Sequence, residues 1–411
     1  MIKKILVIYS SLWQGAGERA VVNFVNTLSS IGYEVYLQLF DGRGHLRNLI
    51  SNKVNMLPFL SQYATYSESL MKEFRCNGFG WMADIREFVH TRNNSPEFED
   101  LPIGEVHERN WEELKKMCPA YTGYDVTVAF TNKIVLKIVA EMSDSEKKIG
   151  LVVTDIETRM NYRDSRSTFS RSFFEHEEKY WNKMDKIIAI SQQNVHSFSN
   201  VYPKLKNKII AFSLPHDRQG IIKMSSEYIP AEFSSGVFNI FTSARVLGEK
   251  GTDILIGAAA ILKRMDIAFQ WIVAGNTECD IEYKNRILDM HREFELEGYV
   301  KFLGSIPNPF PYYKHCDLYV HPSRLEGKSL ALDEAKILGC AILATRYPSV
   351  TDAITDGLNG VLCDITPESV AYGISELIKN PNLRKKLSES NAVDVEDVFA
   401  SIEQYRDIIE N

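Results

Sequence analysis

The chain has 411 residues, which is too many for one ordinary hydrophobic core and suits two domains of about 200 residues each. Hydrophobic residues make up 45% and charged residues 25%, the composition of a soluble globular protein rather than of a disordered or fibrous chain. The 47 basic and 54 acidic side chains give a net charge of −7. This charge argues against a nucleic-acid-binding protein, because such proteins are usually basic.

The sequence carries no recognisable signal for export or for a membrane span. No apolar run approaches the roughly 18 residues that cross a bilayer. The apolar start, Ile5–Tyr9, is too short for the core of a signal peptide and suits a first buried strand. The six cysteines include no Cys-x-x-Cys pair, which favours thiols that stay reduced. We therefore expect a cytoplasmic protein.

Short apolar runs alternate with segments of helical periodicity along most of the chain. This alternation is typical of parallel sheets that are covered by helices on both faces. In the first half we predict a helix at Glu18–Ser30 and strands at Ile5–Tyr9, Glu34–Phe40, Val126–Phe130, Ile149–Val153 and Lys186–Ser191. In the second half we predict strands at Val237–Ser243, Phe269–Ala274, Val300–Leu303, Leu318–His321, Ala341–Thr345 and Gly360–Cys363. The helices predicted there are Thr252–Arg264, Glu282–Glu295, Ser329–Leu338, Glu368–Lys379 and Val393–Glu410.

These elements predict an α/β protein with two doubly wound, Rossmann-like domains that face each other across a cleft. Residues 1–214 form the first domain and residues 237–391 the second, while residues 215–236, with two prolines and two Ser-Ser pairs, suit a linker. Residues 61–118 lack a clear strand period and are predicted to be helices and loops, either a substrate-facing surface or ordinary cover for the sheet. Open α/β sheets bind ligands beyond the carboxyl ends of their strands, so we expect the chemistry there.

The most informative segment follows His321, where a predicted strand ends. A loop carries Glu326, and a helix begins near Ser329, a residue type that caps helices. The unpaired N–H groups at a helix start can bind an anion, and Glu334 in the second turn can reach back toward it. Two carboxylates are tolerated beside an anion if they accept hydrogen bonds from hydroxyl groups that flank it. A nucleotide-sugar, with a diphosphate between two sugars, fits this pattern; two solvated surface acids are the alternative.

A second candidate lies after the predicted strand Val237–Ser243. Arg245 and Lys250 follow that strand five residues apart and precede a predicted helix. Arginine can grip phosphate through two hydrogen bonds, and lysine acts as a point charge. Either residue alone fits an ordinary solvated turn. Combined with a helix start from a different loop, the two cations predict a diphosphate site.

Two weaker patterns lie in the first half. Gly15 and Gly17 follow the first strand and would let the backbone approach a ligand closely, although a turn without a ligand fits equally well. The third glycine of a dinucleotide fingerprint would fall at Ala20, so that site is not expected. Arg159, Arg163 and Arg166 share one face if their segment is helical and could meet anionic lipid head groups or a lipid-diphosphate acceptor. A solvated face balanced by nearby glutamates is the alternative there.

Taken in this order, the segments resemble glycosyltransferase family 4, retaining enzymes with the GT-B fold. The resemblance is densest in the second half and is strongest to the bacterial members that build surface polysaccharides such as O-antigen and capsule. The matching motifs are Arg245…Lys250-Gly251, Lys301–Gly304, Asn308–Ser323, Glu326-Gly327…Glu334-Ala335 and Asp356…Gly360.

The resemblance implies a role for each matching residue. Arg245 and Lys250 would hold the diphosphate of a UDP- or GDP-type sugar donor, with help from the backbone amides of residues 328–330. Glu334 would bind ribose hydroxyls, and Glu326 the transferred sugar. The implied catalytic residues are Glu326, Arg245, Lys250 and Asp155, and the implied donor-binding residues are Glu334, Gly327, Lys328, Ser329, Leu330, Gly304, Ser305, Ile306, Gly15 and Gly17. The C-terminal helix, within residues 392–411, would pack back on the first domain.

The chain departs from the family at two places that concern the acceptor. Val153 stands where many members have a histidine shortly before the aspartate that is Asp155 here, and Ala16 replaces a glycine. In the family the departing phosphate oxygen can itself take the acceptor proton, on the face of the sugar from which it leaves. The chain has no Asp-x-Asp motif, so the resemblance implies no metal and no other cofactor.

The expected function is transfer of a hexose from a nucleotide-diphosphate sugar to a glycan or lipid-linked oligosaccharide. The expected place is the cytoplasm, with peripheral contact at the inner membrane surface and no nucleic-acid partner. Two alternatives stay open. One is an inactive relative that binds nucleotide or glycan as a partner subunit, which the departure at Val153 favours. The other is a nucleotide-sugar isomerase on the same scaffold.

Overall fold

The computed structural model describes residues 2–12, 16–40, 44–58, 108, 111–112, 115, 119–131, 134–161, 171–214, 216–233, 236–394 and 402–411. The chain divides into two compact units, Met1–Pro215 with Ala400–Asn411, and His216–Phe399. Each unit is built on one parallel sheet whose strand order reverses in the middle. The prediction of two doubly wound α/β sheets is therefore confirmed.

The first unit contains a seven-stranded sheet with the order β3-β2-β1-β4-β5-β6-β7. Its strands are β1 (Lys4–Tyr9), β2 (Glu34–Leu39), β3 (Asn55–Met56), β4 (Val126–Ala129), β5 (Lys147–Val152), β6 (Lys186–Ala189) and β7 (Ile209–Ala211). The run Ile5–Ile8 is fully buried, as expected for a central strand that is covered on both faces. The two short strands β3 and β7 were not predicted, because two or three residues are too few to show a period.

Among the described residues, five helices and two short 3₁₀ segments lie between successive strands of this sheet. The helices are α1 (Ala16–Ser30), α2 (Ile134–Met142), α3 (Ile156–Asn161), α4 (Arg171–Trp181) and α5 (Gln192–Val201), and the 3₁₀ segments are His45–Leu49 and Pro203–Leu205. Ser191 caps α5, because its side chain accepts a hydrogen bond from the Asn194 amide at 3.1 Å. Within the described ranges, none of the helices has the length and apolar character that a bilayer crossing requires.

Most of residues 61–118 lies outside the described residues, and so does the expectation that this stretch is a substrate-facing surface. The described positions in it attach to the first unit. Glu108 accepts a hydrogen bond from the Lys137 ammonium at 2.6 Å, and the Trp111 indole N–H donates to Glu141 at 2.9 Å. Both partners lie on or at the end of α2.

The second unit contains a six-stranded sheet with the order β10-β9-β8-β11-β12-β13. Its strands are β8 (Phe238–Ser243), β9 (Phe269–Ala274), β10 (Val300–Gly304), β11 (Leu318–His321), β12 (Ile342–Thr345) and β13 (Val361–Cys363). Its described helices are α6 (Arg218–Met224), α7 (Thr252–Arg264), α8 (Ile281–Glu293), α9 (Phe310–His315), α10 (Leu330–Ile337), α11 (Pro367–Lys379) and α12 (Pro381–Asp394). Thr242 joins the central strands, because its hydroxyl donates to the Val320 carbonyl at 2.7 Å and accepts from the Trp271 indole at 3.0 Å.

The segment expected to be a linker, residues 215–236, is more ordered than its composition indicates. From His216 onward it belongs to the second unit and includes α6, whose Ile221 is buried in that unit's core. The Asn308 side-chain amide donates a hydrogen bond to the carbonyl of Met224, the last residue of α6, at 2.8 Å. This carbonyl at the end of the helix therefore has a partner. The first serine pair, Ser225-Ser226, thus directly follows α6 and does not mark a connection without structure.

The predicted helix Val393–Glu410 is replaced by two helices. The helix α12 reaches Asp394, and α13 (Ile402–Glu410) belongs to the first unit. Tyr405 is buried between Phe24, with ring centroids 5.7 Å apart, and Phe212, at 5.0 Å. The residues between α12 and α13 lie outside the described ones.

We predict that Tyr405→Ala destabilises the first unit by about 3–5 kcal/mol, since it removes a buried aromatic ring and leaves a cavity. Urea unfolding followed by circular dichroism measures the change. The control is Tyr372→Ala, whose parent side chain is 66% exposed and should cost about 0.5 kcal/mol or less. Equal effects of the two substitutions would contradict the packing of α13 on this core.

Candidate active site

The reversal of strand order in the second unit places two loops side by side. β8 and β11 are neighbours, and both run in the same direction. Residues 244–251 follow β8, and residues 322–329 follow β11, so both loops leave the carboxyl edge of the sheet at its centre. This is the position at which open α/β sheets bind ligands.

Arg324 fastens the second loop to the first. Its guanidinium donates to both carboxylate oxygens of Asp253 at 2.6 and 2.9 Å, and its backbone amide donates to the Glu249 carbonyl at 2.8 Å. Tyr283 also donates to Asp253, at 2.8 Å. Burial alone would raise the pKa of Asp253, but the Arg324 guanidinium outweighs burial and lowers it. The carboxylate therefore stays charged and keeps the two-pronged contact that orients the loop.

The two loops also meet through their backbones at Gly251. This residue has φ +66°, and a Cβ atom there would lie 1.9 Å from the Pro322 carbonyl oxygen. Only glycine allows both the left-handed conformation and the close approach. Lys250 was predicted to supply a cation at this position. The glycine that follows it, Gly251, lets the two loops approach each other closely.

Glu326 is the centre of the contact between the loops. One carboxylate oxygen lies 2.6 Å from the Lys250 ammonium, and the other accepts from the Ser323 hydroxyl at 2.8 Å and lies 3.2 Å from His321 Nε2. The residue is 9% exposed. Burial alone would raise its pKa, but the Lys250 charge and the His321 contact hold the pKa well below its ordinary value.

His321 connects this carboxylate to the strand beneath it. The Tyr319 hydroxyl lies 3.2 Å from His321 Nδ1, and His321 Nε2 faces Glu326. If the ring is neutral, the carboxylate requires the proton on Nε2, and Nδ1 then accepts from the tyrosine. The β11 side chains thus fix the direction in which Glu326 points.

Arg245 is an exposed cation in the same loop as Lys250. Its side chain is 54% exposed and lies 3.5 Å from the Glu249 carboxylate. The start of its loop is packed tightly, because a Cβ atom on Gly275 would lie 2.0 Å from the Ala244 carbonyl oxygen. Gly275 also donates to the Gly304 carbonyl at 2.8 Å, so the end of β10 connects to the Arg245 loop through one glycine.

The helix start predicted near Ser329 is present as α10. Ser329 is its N-cap, and its hydroxyl accepts from the Leu332 amide at 3.3 Å. Glu334 lies on this helix, is 2% exposed and accepts a hydrogen bond from the Tyr313 hydroxyl at 3.3 Å. Neither Glu326 nor Glu334 is a solvated surface acid, so the alternative stated for them is wrong.

A second buried group of charges lies at the same helix start. Asp333 Oδ2 lies 3.0 Å from the Lys328 ammonium and 3.1 Å from His216 Nε2. All three side chains are nearly buried, at 2%, 6% and 6% exposed respectively. Burial alone would raise the pKa of Asp333, but the Lys328 charge and the His216 contact lower it strongly.

The remaining predicted residues lie at the periphery or in the first unit. Gly304 ends β10 with φ +69°, followed by exposed Ser305 and half-buried Ile306. Gly17 is an exposed residue of α1, and Gly15 lies outside the described residues. Asp155 is fully buried in the first unit, where Thr158 and Gln193 donate to its two oxygens at 3.0 and 3.1 Å, so it caps α3.

The membrane-facing arginine pattern can be described only in part. Arg159 lies in the last turn of α3, whereas Arg163 and Arg166 lie outside the described residues. Across the part of the chain that the structure describes, no group of three or more His, Cys, Asp or Glu side chains could hold a metal ion.

Several residues that build this site were not predicted from the sequence. Their shared property is that they are polar and make hydrogen bonds or ion pairs near the carboxyl edge of the sheet: His216, Asp253, His321, Ser323, Arg324 and Asp333. One of them, His321, ends β11, and two, Ser323 and Arg324, follow it, at the edge where a ligand was predicted. That position was an available signal. His216 lies 117 residues from Asp333 in sequence, and no local pattern links them.

We predict that Gly251→Ala destabilises the second unit more than Gly298→Ala. Both glycines have left-handed φ angles, +66° and +90°, which should cost about 1–2 kcal/mol in either variant. Only at Gly251 does the new Cβ atom meet a backbone oxygen, so the loops must also separate. Thermal unfolding measures the difference, and equal losses would contradict the close contact with Pro322.

We also predict a pH-dependent stabilisation from Glu326. Its pKa is lowered in the folded chain, so its contribution is present above the ordinary value of 4.5 and is lost as the pH falls below it. At neutral pH Glu326→Gln should cost about 3–5 kcal/mol, because it leaves the Lys250 charge without its buried partner. The gap between this variant and the native chain should shrink on acidification in urea unfolding.

The matched control for this experiment is Glu389→Gln. Glu389 also pairs with a lysine, Lys385 at 3.7 Å, but both side chains are exposed. An exposed pair is worth about 0–1 kcal/mol, so this variant should follow the native chain at every pH. A gap for Glu326→Gln that stays constant down to acid pH would refute the ionised, buried carboxylate.

The chain is similar to known proteins in part of its sequence and in its fold. Residues 230–393 match the family model described as glycosyl transferases group 1. An uncharacterized glycosyltransferase of Methanocaldococcus jannaschii is 31% identical over 159 residues, which is 37% of this chain and 41% of that protein. The amylovoran biosynthesis glycosyltransferase AmsK of Erwinia amylovora is 25% identical over 205 residues, 46% of this chain and 47% of that protein. The chain thus spans less than half the length of these curated relatives.

Solved structures match over nearly the whole chain. Anabaena HepE, crystallised in complex with UDP and glucose, has a TM-score of 0.69 at 17% identity and covers 99% of this chain and 98% of its own. This likeness shows the fold. The chain has the GT-B fold of glycosyltransferases, and its residues 230–393 match the family of glycosyl transferases group 1.

Proposed function

We propose that this chain is a retaining glycosyltransferase of family 4. It moves a hexose from a nucleotide-diphosphate sugar to a glycan or lipid-linked oligosaccharide during synthesis of bacterial surface polysaccharide. The match of residues 230–393 to glycosyl transferases group 1 supports the class of reaction. The relative named for amylovoran biosynthesis supports the polysaccharide role.

One observation carries the proposal: the loops after β8 and β11 converge at the carboxyl edge of the sheet with Lys250 and Glu326 2.6 Å apart. The charge of Lys250 is largely balanced by that carboxylate. Arg245, which is 54% exposed although it lies 3.5 Å from the Glu249 carboxylate, would turn its guanidinium toward the donor, and the amide groups at the start of α10 add to the positive potential that a diphosphate requires. Positive potential from two loops at one edge suits an anion with two phosphates.

The residue roles are proposed on this geometry and on the family resemblance. Arg245 and Lys250 bind the diphosphate with the amides of residues 328–330. Glu334 accepts from ribose hydroxyls, and Glu326, whose oxygens can each accept more than one hydrogen bond, accepts from the transferred sugar. The turn at 304–306 holds the base. In the first unit Gly15, Gly17 and Asp155 are assigned to the substrate side on the resemblance alone.

In this reaction the protein contributes mainly stabilisation of the leaving-group charge and positioning of the substrates. The bond between the sugar carbon and the phosphate oxygen breaks, and the acceptor hydroxyl forms its bond on the same face. The departing phosphate oxygen takes the hydroxyl proton. Arg245, Lys250 and the start of α10 stabilise the charge that develops on the leaving group, so the proposed reaction needs no metal.

A lipid-linked acceptor would place the enzyme at the cytoplasmic face of the membrane. We propose this location as part of the function. Sedimentation with liposomes that contain anionic lipid tests it, and sedimentation equal to that with neutral liposomes would contradict it.

The first test identifies the donor. Thermal unfolding is measured with UDP-, GDP-, dTDP- and ADP-sugars, because a ligand that binds the native state raises the melting temperature according to its occupancy. We expect one base to give a clear shift. With that donor and an acceptor mixture, the product should keep the anomeric configuration of the donor in NMR spectra and should form in the presence of EDTA. An inverted product, or loss of activity in EDTA, would overturn the corresponding part of the proposal.

We predict that Arg245→Ala lowers kcat/KM for transfer by about 100–1,000-fold, since it removes a charge that stabilises the leaving diphosphate. The matched control is Arg292→Ala, an arginine of the same unit that is 72% exposed and pairs with a carboxylate one helical turn away. This control should retain activity within about twofold, and the two variants should unfold at similar temperatures. Full transfer by the Arg245 variant would remove it from the donor site.

A further inference from the structure

We propose that Lys328 is a positioning residue: with Asp333 it forms an ionic staple that sets the angle at which the loop after β11 enters α10. This angle aims the backbone amides of residues 328–330. The inference rests on the proposed function, because it assigns those amides to the donor diphosphate.

The positions of the two residues relative to the helix carry the argument. Ser329 is the N-cap of α10, so Lys328 is the residue before the cap and Asp333 is the fourth residue of the helix. In many helices a hydrophobic pair at these two positions packs together and fixes the entry angle of the chain. Here the pair is charged, and the ammonium and carboxylate are 3.0 Å apart.

Burial distinguishes this pair from an ordinary surface salt bridge. The Lys328 side chain is 6% exposed and that of Asp333 is 2% exposed, and His216 lies 3.1 Å from the same carboxylate oxygen. Arg245, the cation we assign to the diphosphate, is by contrast 54% exposed. A buried pair gains little stability over two apolar residues, so stability alone does not account for it. Its geometry instead constrains the six consecutive residues from Lys328 to Asp333 at the helix start.

The loop that leads into α10 is held by side-chain contacts on both sides of Gly327. Glu326 is held by Lys250, His321 and Ser323, and Lys328 is held by Asp333. The Ser349 hydroxyl also donates to the Glu326 carbonyl at 2.9 Å. Side-chain contacts on both sides of Gly327 thus fix the direction of the following amides. A phosphate bound by those amides would sense the loss of either anchor.

Binding measurements on variants test the staple. The probes are the diphosphates UDP, GDP, dTDP and ADP and the matching monophosphates, each titrated by calorimetry. For the base that binds the native chain, Lys328→Met should weaken diphosphate binding about tenfold and monophosphate binding less than about twofold. A variant that merely loosens the fold would weaken both nucleotides equally and would overturn the proposal.

The double variant Lys328→Met/Asp333→Leu is the decisive comparison. It replaces the ionic staple by a hydrophobic one at the same two positions and removes both charges together; the loss of the Asp333 contact to His216 is common to Asp333→Leu alone, which is measured beside it. Diphosphate affinity should return to within about threefold of the native value. If Lys328 instead contacts the diphosphate directly, the double variant stays as weak as Lys328→Met, and the positioning role is wrong. Should Lys328→Met fail to fold, the double variant alone decides between these outcomes.

The matched control is Lys336→Met. Lys336 is a buried lysine on the same helix, but its ammonium donates to the Ala353 carbonyl at 3.2 Å. The ratio of monophosphate to diphosphate affinity should be unchanged in this variant. A native chain that binds none of the four diphosphates would overturn the proposed function and the staple with it, whereas native binding that Lys328→Met leaves intact overturns the staple alone.

Discussion

The carboxyl edge of the sheet in the second unit, where the candidate site lies, depends on the contacts that compensate the buried carboxylate of Glu326. A charge at 9% exposure must be compensated within hydrogen-bond distance, and here a lysine, a histidine and a serine supply the compensation. Lys250 comes from the loop after β8, while the other two follow or end β11. Because one carboxylate requires donors from both loops, their separation would leave an uncompensated charge. The two loops therefore stay together, because separating them would leave the buried Glu326 charge uncompensated.

The order of the strands explains why the two loops can meet around Glu326. β8 and β11 are adjacent although about 75 residues separate them, because the sheet is doubly wound from its centre outward. The loops that leave the two central strands therefore emerge side by side at the carboxyl edge of the sheet and contact each other. Arg324, Gly251 and Thr242 then fix the distance across that edge. The same reversal occurs between β1 and β4 of the first unit.

Much of this architecture could be predicted from the sequence. Buried parallel strands are continuous apolar runs, and for this reason β9 and β11 were predicted at their observed bounds. The short strands β3 and β7 and the helix α6 were missed, because their stability comes from packing partners distant in sequence, such as Asn308 for α6. The division of Val393–Glu410 into two helices was missed for the same reason, since Tyr405 finds its partners in the first unit.

The candidate site could likewise be predicted from the sequence only in part. Residue types that bind phosphate and hydroxyl groups were visible as Arg245, Lys250, Glu326 and Glu334, since their chemistry is local. The compensating contacts of His321 and Asp253 were not visible, because a sequence does not say which buried charge faces which donor.

The position of α13 has a consequence for how the chain folds during synthesis. The ring of Tyr405 completes a core formed with Phe24 and Phe212, yet it is translated only after the whole of the second unit has been made. A ribosome-bound chain therefore holds the amino-terminal unit without the Tyr405 ring between Phe24 and Phe212 while the later residues emerge. This part of the first core can close only after synthesis has passed through the second unit, so the two ends of the chain must meet late in folding.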